Sequence, residues 1–304
     1  MGKSLEVATS KEQIGPVAEE LPRRSERSRA WRRYKANRMA VIAGAFIILL
    51  CLMAIFADAI VPHDPLEIYS GKRGVGPSSE HLMGFDHVGR DLFSRVIYGS
   101  RVALIVGLGA SSIAVIIGVM VGVTAGYFSG WPDSLLSRLT DTLMAFPIIA
   151  LLILLASIVG PSLVTTVVVI GVTSWAIYAR VVRAQVLSLK RQEFVVAALA
   201  IGASDRRIIF RHILPNVLAP VIVLVTLGVG TIIILEAALS FLGLGIQPPT
   251  PSWGGTLSDG RAFILLFPHI AMAPGIMIVL TVLAFNLLGD GLRDALDPRQ
   301  KDIT

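Results

Sequence analysis

The sequence predicts an all-α membrane protein with six transmembrane helices and both termini in the cytoplasm. Three observations carry this. The chain of 304 residues is 54% hydrophobic and only 16% charged, where soluble domains are about a quarter charged. Apolar runs near the roughly 20 residues needed to cross a bilayer recur six times. Lysine and arginine concentrate in alternate connecting segments, as membrane orientation requires.

Residues 1–38 are polar and basic and lack the apolar core of a signal peptide. "MGKSLE" has Glu6 where N-myristoylation needs Ser or Thr. The tail to about Ala30 reads as disordered, and "RAWRRYKANR" as a short basic helix on the membrane surface. The predicted spans are Met39–Ile60, Val102–Tyr127, Leu143–Ile158, Leu163–Val182, Leu214–Leu242 and Ile270–Leu288. The third is short and is expected to begin earlier, near Leu135. In domain terms this gives a tail over 1–38, a first helix over 39–60, an extracytoplasmic loop and interfacial helix over 61–101, a five-helix core over 102–290 with a cytoplasmic loop at 183–213, and a tail over 291–304.

With the N-terminus inside, the cytoplasmic segments hold 21 of the 27 basic residues. The positive charge therefore follows orientation, with some of it placed to touch anionic lipid, and calls for no nucleic acid. Cys51 is the single cysteine. It lies in an apolar run, so there is neither a disulfide framework nor a cysteine metal site.

In the second span Gly107, Ser111, Ala114, Gly118, Gly122 and Gly126 recur every three or four residues. Small residues at that spacing let another helix backbone approach, so Gly118, Gly122 and Gly126 are candidate helix-packing positions. In the preceding loop, His63, Asp64, His81, Asp86, His87 and Asp91 match no standard ligand spacing, and an ordered loop is expected. "DLFSRVIYGSR" suits an interfacial helix. "GIQPPTPSWGGTLSDGRAFILLFPH" reads as turns plus one short helix over the outer mouth.

Between the fourth and fifth spans lies "EFVVAALAIGASDRRIIFRHILPN", residues 193–216. Glu193 to Ile201 forms a good helix, kept slim by Ala197, Ala198 and Ala200. Gly202 is placed to end it in a left-handed cap. After Ala203, Ser204 or Asp205 is placed to cap a second short helix. Pro215 fits the first turn of the fifth span. The result is a helix–turn–helix knob, read either as a linker resting on lipid or as an element gripped by another protein.

Ionisable groups inside spans are functional candidates. Glu236 stands roughly 33 Å along the fifth span. There it lines an outer vestibule, snorkels, or bonds a neighbouring helix. Asn286 is placed to bond another helix or to face a translocation pathway. Asp58 reads as interfacial. Arg138, Asp141, Arg180 and Arg183 mark cytoplasmic ends. Arg293 is spaced to reach Asp290 and Asp297, either as a solvated helix end or as a surface for a partner. No ionisable group is convincingly central, which disfavours a secondary transporter. No nucleophile–base set is spaced for an integral membrane enzyme.

"AALAIGASDRRIIFRHILPN" resembles the EAA loop of ABC-importer permeases. Alignment on Gly202 and Pro215 places Ala197 and Ala198 on that loop's alanines. Val196 stands where the family often has glutamate, and His212 where it has isoleucine; Glu193 is the nearest acidic residue. "HLMGFDHVGRDLFSRVIYGSR", "ALSFLGLGIQPPTPSWG", "LTVLAFNLLGDGLRDALDPR" and "RHILPN" resemble the dipeptide/oligopeptide subfamily, specifically its C-type permease. The resemblance covers about Arg32 to Arg299.

It implies a type I ABC importer fold in a bacterial inner membrane. It also implies a second homologous permease, two ABC ATPase subunits, and an extracytoplasmic substrate-binding protein. The loop from Glu193 through Ala197, Ala198, Gly202, Ala203, Ser204 and Asp205 to Pro215 would couple to the ATPases. The cargo would be di- or oligopeptides, with glutathione, nickel and other small solutes as alternatives. The chain contains no G-x-x-x-x-G-K-[ST] loop. No cofactor is expected on it, and ATP and Mg would bind the ATPases.

Overall fold

The computed structural model describes residues 26–296. The part of the expected disordered tail before residue 26, and the end of the C-terminal tail with Asp297, lie outside the described residues. From Glu26 to Ala30 the chain is helical and not disordered as expected, because it continues into the basic helix that follows. Helices account for nearly all of the fold, and among the described residues the single β-bridge joins Phe85 and Asp91. Five helices are long and apolar enough to cross a membrane, and six if one sharply bent pair counts as a span.

α1 (Glu26–Ala36) and α2 (Arg38–Ile55) are separated by Asn37, whose side-chain oxygen accepts from the Ala40 N–H at 3.1 Å and caps α2. The short α3 (Ala57–Ile60) follows. After the loop comes α4 (Leu92–Tyr127), 36 residues long and so about 54 Å, well beyond a hydrocarbon core of about 30 Å. It starts at Leu92, not Val102, which corrects the expected interfacial helix. Residues 92–101 are the buried first turns of the span. Gly99 lets the Trp253 ring lie against the backbone, and the indole N–H donates to the Val96 carbonyl at 2.8 Å. Arg95 is buried, with its Nε 3.4 Å from Asp86 and a hydrogen bond to the Pro65 carbonyl.

The third span is two helices, α5 (Trp131–Ala145) and α6 (Ile148–Val159), bent by 90°. Pro147 is the cause. Proline disfavours the helical region for the residue before it, and Phe146 is extended at ψ 138. α7 (Leu163–Leu189) runs past the expected end at Val182. α8 (Glu193–Ala200) and α9 (Asp205–Ile208) follow. α9 does not stop: a wide π turn, Ile209–Ile213, carries it into α10 (Leu214–Phe241). Pro215 would drive its ring into the carbonyl of residue 211 in a regular helix, and the widened turn just before it relieves that clash. Asn216 Nδ2 donates to the His212 carbonyl at 2.6 Å.

α11 (Trp253–Arg261) is the expected short helix, and it lies against α12 (Pro268–Leu296) and α10. α12 continues beyond Leu288. Its Gly289 and Gly291 face Leu227 and Ala40, where a methyl would collide.

The longest seam joins α4 to α7, and the glycine stripe forms it. A Cβ on Gly118 would lie 2.9 Å from the Trp175 carbonyl oxygen, on Gly122 2.6 Å from that of Ala179, and on Gly126 2.8 Å from Val186 Cβ. Gly171 returns the favour from α7 against Ala110. Gly107 faces Val229 and Ile233 of α10 instead. Around this seam α10 packs on α12, and α12 on α2 and α1.

Candidate functional site

The segment joining α7 to α10 is a compact knob at one end of the bundle. Its bend is a complete Schellman turn. Gly202 has φ +79°, its N–H donates to the Leu199 carbonyl at 3.0 Å, and the Ala203 N–H reaches back to Ala198 at 3.0 Å. Ser204 sits extended at the N-cap of α9 but makes no side-chain cap bond. Asp205 is diverted from capping as well: the Tyr127 hydroxyl donates to its carboxylate at 2.6 Å. Lys190 Nζ donates to the Tyr127 carbonyl at 2.6 Å and lies over the Tyr127 ring. Tyr127 thus joins the ends of α4 and α7 to the knob.

Below the bend, Val195, Ala198, Ile208 and Ile213 are buried with Val123 of α4, Val182 and Val186 of α7, and Val217 and Val221 of α10. One core therefore runs from three spans into the knob, so the knob cannot swing without them. Its outer surface is different. Glu193, Ala197, Gly202 and Pro215 are exposed, Ile201 is 85% exposed, and Phe194, Leu199 and Phe210 project as well. A Cβ built on Gly202 meets nothing within 4 Å. The glycine is required by its backbone conformation, and the space around it is open.

Two ion pairs brace the bent span beside the knob. Arg183 holds Asp133 through Nε at 2.6 Å and Nη2 at 2.9 Å, and Arg180 Nη2 lies 2.6 Å from Asp141. The sequence marks these four residues only as helix ends; their pairing depends on where the Pro147 break sends α5.

A cleft of about 640 Å³ opens where α5 turns into α6, facing α7, α10 and α12. Asn286 lines it together with Tyr178 and Thr231. Glu236 is not among its lining residues. It is 1% exposed and accepts from the Ser240 hydroxyl at 2.8 Å. This corrects all three expected placements: Glu236 is buried and bonded within its own helix, since α11 covers that part of α10 with Gly254 against Ala237 and Ser240.

At the opposite end the loop is built on Asp86. Its Oδ1 accepts the N–H groups of Val88, Gly89 and Arg90 at 2.9–3.0 Å, and its Oδ2 holds Arg90 Nε at 2.6 Å. Asp91 caps α4 through the Ser94 N–H at 2.8 Å and accepts from His81 Nδ1 at 2.8 Å. His63, His81 and Asp91, which chain spacing did not group, bring ligand atoms within 4.8 Å of one another. His63 and His81 stack at 4.2 Å with planes 26° apart, and each uses one ring nitrogen for a hydrogen bond, His63 Nε2 with the Glu80 carbonyl at 3.1 Å and His81 Nδ1 with Asp91. Asp58 bonds the Tyr98 hydroxyl and Arg101, and these hold it below the usual carboxylate range.

A bundle of five or six candidate spans, a knob packed into three of them and a partly polar cleft among them fit a subunit of a membrane transporter. The chain belongs to the family described as binding-protein-dependent transport system inner membrane component, matched over residues 92–302. Residues 25–77 match the N-terminal transmembrane domain of oligopeptide transport permease C. Over 272 residues it is 47% identical to the dipeptide transport system permease protein DppC of Alkalihalophilus pseudofirmus, covering 90% of each chain. It is 46% identical to the glutathione transport system permease protein GsiD of Escherichia coli, covering 89% of this chain and 90% of the other. The fold is similar to a chain of the MetNI methionine ABC transporter in an inward-facing conformation, with TM-score 0.57, 19% identity, and coverage of 67% of this chain and 96% of that one.

Members of the family are multi-pass inner-membrane permease subunits of ABC importers, in which separate subunits hydrolyse ATP. The match also bears out the expected type I importer fold.

Proposed function

We propose that the chain forms half of the translocation pathway of an ATP-driven importer for di- or oligopeptides. The relatives named for dipeptide and glutathione transport support a cargo held together by amide bonds. The other half is a second homologous permease. Two ABC ATPases bind ATP and Mg and dock on the cytoplasmic side, and a substrate-binding protein delivers cargo outside. Both termini are cytoplasmic in this reading, supported by the distribution of basic residues.

The observation that carries it is the knob. Its Schellman bend presents Ile201 and Gly202 outward while its underside shares a core with α4, α7 and α10. A partner cleft closing on that bend moves whole helices, since packed cores switch between discrete arrangements and do not flex continuously. Glu193, Ala197, Ala198, Gly202, Ala203, Ser204, Asp205 and Pro215 form or support this contact. Inverting a 1:99 population needs roughly 5.5 kcal/mol of differential binding, which only a firmly seated knob can deliver.

The test is co-purification with the ATPases, disulfide crosslinking from Ile201→Cys, and peptide-stimulated ATP hydrolysis. Capture of the ATPase at position 201 and stimulation by peptide are expected. An assembled, active importer in which position 201 never meets an ATPase refutes the docking role.

A further inference from the structure

Besides Thr173, which donates back to the Val169 carbonyl of its own helix at 2.8 Å, four polar side chains line the cleft between the spans. They are Tyr178 and Ser174 of α7, Thr231 of α10 and Asn286 of α12. None of the four makes a side-chain hydrogen bond among the described residues, although unpaired polar groups in an apolar membrane interior are costly. Tyr178 is the clearest case. It is only 2% exposed, its ring is packed with Ala114, Trp175 and Ala179, and its oxygen opens on the cleft. Gly228 makes room for it: any side chain there would collide with the Tyr178 hydroxyl. Ser111 and Thr281 within the spans also lack a partner, but they are sealed in packed interiors and do not line the cleft. Many other span hydroxyls are satisfied locally. Ser112, Thr124 and Thr226, for example, donate back to their own helix. The four cleft groups are held ready for something that is not part of this chain.

The lining also limits what that is. It contains no carboxylate, imidazole, lysine or arginine, so this half of the cleft offers no ligand set for a bare cation and no counter-ion for a net charge. It offers hydroxyl and amide donors and acceptors set among apolar walls, the recognition chemistry of a neutral group that both donates and accepts. A cavity of about 640 Å³ is in the range of small-molecule sites.

We propose that Tyr178, Ser174, Thr231 and Asn286 form a transient subsite for the secondary amides of a peptide backbone in transit. It rests on the peptide-importer reading and deepens it. Because the groups meet backbone and not side chains, the subsite passes peptides of varied sequence.

The test uses the complete importer in proteoliposomes, with uptake of labelled dialanine and of its analogue N-methylated at the peptide bond. Tyr178→Phe and Thr231→Val remove one hydroxyl each with little change of shape. Each is expected to slow dialanine uptake roughly fivefold. The loss is expected to be smaller for the N-methylated analogue, which lacks the N–H one of these groups receives. Undiminished dialanine uptake in both variants, or equal losses for the two cargoes, overturns the subsite while leaving the peptide-importer reading intact. Loss of the second permease on co-purification of either variant overturns it too, because the groups would then serve assembly. Failure of the wild-type importer to take up dialanine at all refutes the peptide reading, and the subsite with it.

Discussion

Gly122→Ala should lower the thermal unfolding temperature of the detergent-solubilised chain by about 4–8 °C. The added methyl would lie 2.6 Å from the Ala179 carbonyl oxygen and 2.7 Å from Val182 Cβ. Neither atom is the end of a flexible side chain, so α4 and α7 must part by roughly 1 Å to restore ordinary contact. A gap of that size forfeits a quarter to a half of each contact's well of about 0.1–0.2 kcal/mol. With about 40 contacts along the local seam, as for one buried leucine, the loss is about 2 kcal/mol. This agrees with the 1–3 kcal/mol typical of overpacking.

At about 2–4 °C per kcal/mol for a chain of this size, the stated shift follows. Intrinsic fluorescence during a thermal ramp reads it. Gly275→Ala is the matched control, since its nearest neighbour, Leu257 Cδ1, would be 3.8 Å away. If Gly122→Ala and Gly275→Ala unfold within about 1 °C of each other, the α4–α7 seam is not a tight backbone contact.

Gly202→Ala should cost about 1–2 kcal/mol through its left-handed backbone, while Gly202→Asn should cost less. Both should insert normally, and loss of ATPase co-purification should follow the same order, read by subunit stoichiometry. Tyr127→Phe removes a charge-assisted bond to Asp205 worth about 1.5–3 kcal/mol. The expected outcome is more ATP hydrolysed per peptide taken up, because the knob is less firmly tied to α4; an unchanged ratio rules out that role. Trp253→Phe deletes the indole bond to the Val96 carbonyl under α11. It should destabilise the purified chain by about 1 kcal/mol and leave ATPase co-purification unchanged.

The knob was the most legible feature of the sequence because its determinants are local. A left-handed glycine after an alanine-rich turn specifies the bend that Ala198, Leu199, Gly202 and Ala203 make. The glycine stripe was equally plain at its knob-end half, where three- and four-residue spacing alone puts Gly118, Gly122 and Gly126 on one face. Gly107, on the same stripe, turned out to serve α10, because a long helix meets different neighbours along its length. Span ends were less legible. Hydropathy ends where polar residues begin, but α4 and α7 continue as helices wherever other elements cover them, as Trp253 covers Val96.

Some features needed contacts far apart in the chain. Asp133 and Asp141 find Arg183 and Arg180 only because Pro147 turns the third span through a right angle and brings α5 along α7. Glu236, by its height in the membrane, read as lining a vestibule, snorkelling or bonding a neighbouring helix. Burial depends on which face α11 covers, and the height does not carry that information.

The amino-acid order by itself determined that this is a membrane bundle, five of its spans, its basic-residue asymmetry and the bend between α7 and α10. Each of these is set by hydropathy, charge or backbone preference within a few neighbouring residues. Only the tertiary structure decided that Tyr127 ties the bend to two spans, that Glu236 is sealed away, and that Tyr178, Ser174, Thr231 and Asn286 look into one cleft. Those outcomes depend on which helix faces meet. Close packing of the whole bundle settles that, and no local window of the chain contains it.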